Sequence, residues 1–144
     1  MKTLLHTLLA LTLATTPTLA DASVKAGPRK GRVLDMEAKN AEFYIEKDRT
    51  VSIAFYDAAM KAQPTATEIV TATAEAPSGK VKLEFEQKGD LLISKTPLPE
   101  GEHYTIVVQI KATAEAKPKN FRIPLDLSIC KACGNAEYAC ICDE

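Results

Sequence analysis

The chain is 144 residues long, 46% hydrophobic and 26% charged, with no Trp, four Cys and a formal net charge of −1. That length suits one domain of ordinary size, and the charged fraction argues against global disorder. The near-neutral balance lacks the basic excess that nucleic-acid binding normally brings, so no nucleic-acid partner is expected.

The first segment reads as an address rather than as structure. Met1-Lys2, the apolar run Leu4 to Ala14 and the small residues leading to Ala20 have the pattern of a secretory signal peptide over residues 1–20. Cleavage after Ala20 or after Ala22 fits the small-residue preference at the cut. The apolar run is too short to span a bilayer comfortably and no later stretch approaches it, so no membrane span is expected after cleavage. No Cys follows the cut, which argues against a lipid anchor. The expected location is periplasmic or secreted. Residues 21–32 form a basic N-terminal arm, with Lys25, Arg29, Lys30 and Arg32 close together. A solvated arm is the simple reading and an anion site the alternative.

Residues 33–128 read as short strands. Val33-Leu34 opens the series. Ala41 to Glu46 and Val51 to Tyr56, joined by Lys47-Asp48-Arg49-Thr50, form a hairpin. Asp57 to Ala62 is expected to make one helical turn. Ile69 to Ala74 is rich in β-branched residues and suits a strand. In Lys80 to Glu86, Val81, Leu83 and Phe85 share one face and charges the other, the two-residue period of a half-buried strand. Lys88-Gly89-Asp90 turns the chain into Leu91-Leu92-Ile93. Tyr104, Ile106, Val108 and Ile110 repeat the alternation, as do Phe121, Ile123, Leu125 and Leu127. Pro124 cannot donate to a ladder, which places the last strand at an edge or a bulge. Seven or eight short strands with frequent turns predict an all-β fold, an antiparallel immunoglobulin-like β-sandwich.

The stretches Lys30 to Val33, Ala41 to Ile45 and Val51 to Asp57, followed by Leu98-Pro99-Glu100-Gly101 and the strand Tyr104 to Ile110, resemble a group of small exported proteins. These are immunoglobulin-like periplasmic domains often found beside heavy-metal efflux components. The resemblance covers residues 28–127 and implies a sandwich scaffold, with an envelope protein or a metal-efflux component as partner. Relatives of this kind often carry a His-rich stretch before the first strand. Here Pro28-Arg29-Lys30 stands there, so no N-terminal metal role carries over.

Concentrated chemistry lies in the Cys-rich tail, residues 129–144. Cys130, Cys133, Cys140 and Cys142 fall within thirteen residues, as Cys-Lys-Ala-Cys-Gly and then Cys-Ile-Cys. A Cys-x-x-Cys-Gly turn resembles a zinc knuckle, and residues i and i+2 of an extended segment share a face, so all four sulfurs can meet one ion. Four thiolates suit tetrahedral Zn(II), and soft sulfur also favours Cu(I). An exported protein equally allows two disulfides in any of three connectivities, with no cofactor bound. Tyr138, between the pairs, is expected to cover the site or pack on the sandwich.

The single His outside the first segment, His103, is expected to be solvated, with Glu100 and Glu102 offering at most an adventitious site. Met36 and Met60 are too few for a methionine-rich copper motif. There is no phosphate loop, nucleophile elbow or His-Glu-x-x-His, and no βαβ setting for a thioredoxin-like Cys-x-x-Cys, so no enzymatic activity is expected. Two functions are carried forward. One is a non-catalytic metal-binding accessory protein of the cell envelope. The other is an envelope interaction module whose tail is stapled by two disulfides.

Overall fold

The computed structural model describes residues 23–142, so the expected signal segment and its cleavage positions lie outside the described residues. Among the described residues nine strands run in chain order: β1 (Arg32–Asp35), β2 (Asn40–Ile45), β3 (Val51–Tyr56), β4 (Ala62–Gln63), β5 (Ile69–Ala76), β6 (Gly79–Lys88), β7 (Leu91–Ser94), β8 (Thr105–Lys111) and β9 (Lys119–Pro124). Every pairing is antiparallel. The strands follow one another in the order β1-β2-β3-β7-β6-β5-β8-β9, with β4 added on β3. The all-β antiparallel expectation therefore holds, with two-residue β4 as an element that the sequence does not announce. Pro124 closes β9 at the end of that order, an edge where a missing N–H is tolerated.

In place of two separate layers, the strands form one sheet nearly closed into a barrel. The join is β6. Gly79 to Glu84 pairs with β5, and Phe85 to Lys88 pairs with β7. Two-residue turns at both ends of β6, Pro77-Ser78 and Gly89-Asp90, hold it in these two hairpins. The terminal strands β1 and β9 face each other across a cleft of about 490 Å³.

Inward-facing residues of both halves fill the interior: Phe43, Ile53 and Phe55 from β2 and β3, Leu83 from β6, Ile106 and Ile110 from β8, all essentially without solvent contact. The alternation predicted for β8 and for Ile123 and Leu125 is realised as burial. Val81 departs from its pattern: it is 36% exposed, because only the middle of long β6 faces the interior. Asp57 to Ala62 is not helical either. The Asp57 carboxylate accepts the amides of Ala59 and Lys61 at 2.9 Å, and Met60 takes φ +59, so a side-chain-capped turn leads into β4. No helix among the described residues is long and apolar enough to cross a membrane.

Arg29 is not solvated as the simple reading of the basic arm would have it. Its guanidinium lies 2.6 Å from Glu46, donates to Ser52 Oγ at 2.8 Å and stacks 4.5 Å from the Tyr44 ring centre. The loop Gly27 to Gly31 thereby covers the outer face of β2 and β3 and encloses Glu42 completely. A buried carboxylate needs donors, and Glu42 receives the N–H groups of Arg29 and Gly31 and the Tyr56 hydroxyl, at 2.8–2.9 Å. Alternation alone would have put Glu42 in water.

Candidate metal centre

The tail leaves β9 as a small hairpin of its own. Glu137 N–H donates to Ser128 O and Cys130 N–H to Asn135 O, with a bridge between Ile129 and Ala136. The turn that closes it contains the first two cysteines: Gly134 N–H donates back to Cys130 O at 2.9 Å. Gly134 takes φ +73, a conformation that favours glycine and lets the chain double back behind the sulfurs. A 3-10 turn, Glu137–Ala139, then reverses direction and brings Cys140 and Cys142 against the knuckle.

The tail is docked on the barrel through this turn. Tyr138 and Ala139 are buried, and the Tyr138 ring meets Phe43 edge-on, 5.8 Å between centres. β1 pairs with β2 only as far as Arg32 opposite Phe43, so Ile45 lies beyond that ladder. The Tyr138 hydroxyl accepts the Ile45 N–H at 3.1 Å, and Tyr138 N–H donates to Asp126 O. Burial pushes the Tyr138 phenol up to about 12, so it stays neutral in this role. Tyr138 thus packs on the barrel, one of its two expected placements.

The structure brings all four predicted cysteines together. Their sulfurs lie within 4.8 Å of one another. Two separations, Cys130 to Cys142 and Cys133 to Cys140, are each 3.7 Å. A tetrahedral ion with metal–sulfur bonds of about 2.3 Å sets its ligands about 3.8 Å apart, so these edges match such a shell. A disulfide needs about 2.05 Å, and no pair approaches that length. The four cysteines are placed to hold a metal ion.

Electrostatics point the same way. Backbone N–H groups of Asn135 and Ile141 aimed at Cys133 hold its thiol down, at about 6. The Cys142 N–H favours the Cys140 thiolate, yet crowding by Cys130, Cys133 and Cys142, with burial, pushes that thiol up to about 12. Cys142 is raised by its neighbours Cys130 and Cys133. Four thiols in one pocket cannot all ionise side by side, and a cation that replaces their protons removes that conflict.

The remaining candidates stay apart. His103 is exposed, 3.8 Å from Asp126, and Met36 packs at the margin of the core. The Met60 sulfur accepts from Asn40 at 3.4 Å. Among the described residues, no other group of His, Cys, Asp or Glu is gathered to hold an ion. Compared with known proteins, the chain matches no protein-family model, no curated protein and no solved structure.

Proposed function

We propose that this is an exported, non-catalytic metal-binding accessory protein of the cell envelope, in which Cys130, Cys133, Cys140 and Cys142 hold Zn(II) or Cu(I). The carrying observation is the convergence of four sulfurs within 4.8 Å, two pairs of them at 3.7 Å. Export is supported by the residue pattern of positions 1–20. The barrel is a scaffold of immunoglobulin-like type. That reading is supported by a Greek-key order in which β3 neighbours β7 and β5 neighbours β8. An envelope protein or metal-efflux component is the proposed partner.

Intact mass of the exported protein, native and denatured, with and without thiol alkylation, tests this reading. One metal increment in the native mass and four alkylated cysteines after denaturation are expected. A variant with all four cysteines replaced by Ser that keeps its metal would end the proposal.

One observation favours the disulfide-stapled interaction module as the second reading. The two 3.7 Å sulfur separations define a nested pairing, Cys130 with Cys142 and Cys133 with Cys140. A mass lowered by the hydrogens of two disulfides, with that pairing in the peptide map, would put this reading first.

A further inference from the structure

The four ligands are not held alike. Cys130 is 8% exposed, with its N–H bonded to Asn135 O and its carbonyl to Gly134 N–H. Cys133 sits in the knuckle, and Cys140 N–H donates to Glu137 O at the end of the 3-10 turn. Cys142 is exposed, and among the described residues its N–H reaches the neighbouring Cys140 sulfur, at 3.5 Å. The surroundings are uneven too. The two most exposed large apolar side chains among the described residues are Ile129 at 63% and Ile141 at 50%. Each immediately precedes one member of the Cys130–Cys142 pair.

We infer that Cys142 is the exchangeable corner of the metal site, through which the ion passes to an acceptor protein offering a sulfur ligand from an apolar surface. This rests on the four-cysteine reading above. The acceptor thiolate forms a bond to the metal as the metal–Cys142 bond breaks. An acceptor arriving as a thiol leaves its proton on the Cys142 thiolate. The ion keeps its oxidation state throughout and no electron moves. Cys130, Cys133 and Cys140 retain the ion until the new ligand is in place. Ile129 and Ile141 provide the apolar lip on which the acceptor seats.

The test uses the full chain loaded with Zn(II). Pulsed alkylation with N-ethylmaleimide and peptide mapping should label Cys142 about ten-fold faster than Cys130 or more. Zinc loss to glutathione should rise in proportion to glutathione concentration. Cys142→Ser should keep one zinc ion more weakly, whereas Cys133→Ser should lose it. Ile129→Ser with Ile141→Ser should keep zinc, slow its loss to an apolar arylthiol several-fold and leave loss to glutathione unchanged. Failure of the wild-type protein to bind either Zn(II) or Cu(I) would overturn the four-cysteine reading itself. If zinc is bound but all four cysteines label together, or its loss ignores glutathione, the exchange corner alone is overturned. The same follows if Cys142→Ser and Cys133→Ser lose zinc equally. Equal slowing with both thiols, or none, removes the apolar lip.

Discussion

The barrel and the cysteine tail are stabilised by different means. The barrel encloses a continuous apolar interior reaching from Phe43 to Ile123, so each element supports its neighbours. The tail has a handful of backbone hydrogen bonds, one buried aromatic residue and four crowded thiols. Cooperative burial makes the first insensitive to what is bound. A metal ion held by the four cysteines would add order to the second and touch nothing else. On the proposed reading, a scaffold that stayed folded while its site filled and emptied would suit a carrier better than a site built into the core.

The strongest test of that contrast is Phe43→Ala, which removes a fully buried ring shared by both regions. A loss of about 3–5 kcal/mol is expected in urea unfolding, with barrel and tail failing together. Lys39→Met separates them. It strips the cation from Glu68, whose carboxylate is almost fully buried. Burial raises the Glu68 pKa, but the Lys39 hydrogen bond and the Ala66 N–H outweigh it and hold the carboxyl below its usual range. A depressed carboxylate stabilises the fold above the ordinary carboxylate range, and that contribution is lost as pH falls through and below it. The variant should lose about 2 kcal/mol at neutral pH, because Lys39 still reaches solvent, and show a flatter acid-side stability curve. Metal release on acidification, which follows reprotonation of the thiolates, should be unchanged.

Tyr138→Phe keeps the ring against Phe43 but leaves the Ile45 N–H without its acceptor. About 1–2 kcal/mol should be lost, seen mainly as faster alkylation of the metal-free cysteines with little change in the urea midpoint of the barrel. Gly134→Ala has the smallest expected effect. No atom lies within 4 Å of the added methyl, so only the φ of +73 opposes it, at about 1 kcal/mol. Weaker zinc binding with an unaltered melting temperature is the expected readout.

Much of the barrel was legible because its burial follows a two-residue period. Tyr104 to Ile110 could be assigned from side-chain types alone. Where that logic failed, a specific hydrogen-bonding side chain decided. Glu42 lies on what should be the wet face and is dry because the preceding loop, Gly27 to Gly31, folds over it. Asp57 to Ala62 looks helical until the Asp57 side chain takes the amides that a helix would need. In the tail, residue type and spacing singled out the four cysteines that the fold gathers, since four cysteines in thirteen residues admit few uses. The gradient from buried Cys130 to exposed Cys142 was not legible. It depends on Tyr138 docking against Ile45, 93 positions away, which no local pattern encodes.

The enclosure of Glu42 has a consequence for how freely this sequence can drift. A methyl group at Gly27 would stand 2.4 Å from the Glu42 carboxyl carbon, and one at Gly31 the same distance from the Phe43 carbonyl. A saturation library selected for folding should therefore return only glycine at both positions. Turn Gly89, at φ +62 with open space around it, would exchange with Asn or Asp, whereas Gly79, at φ +125, would not. Two positions of the stretch that follows the expected cut, which carries no periodic signal, are thus spelled as tightly as the interior of the barrel.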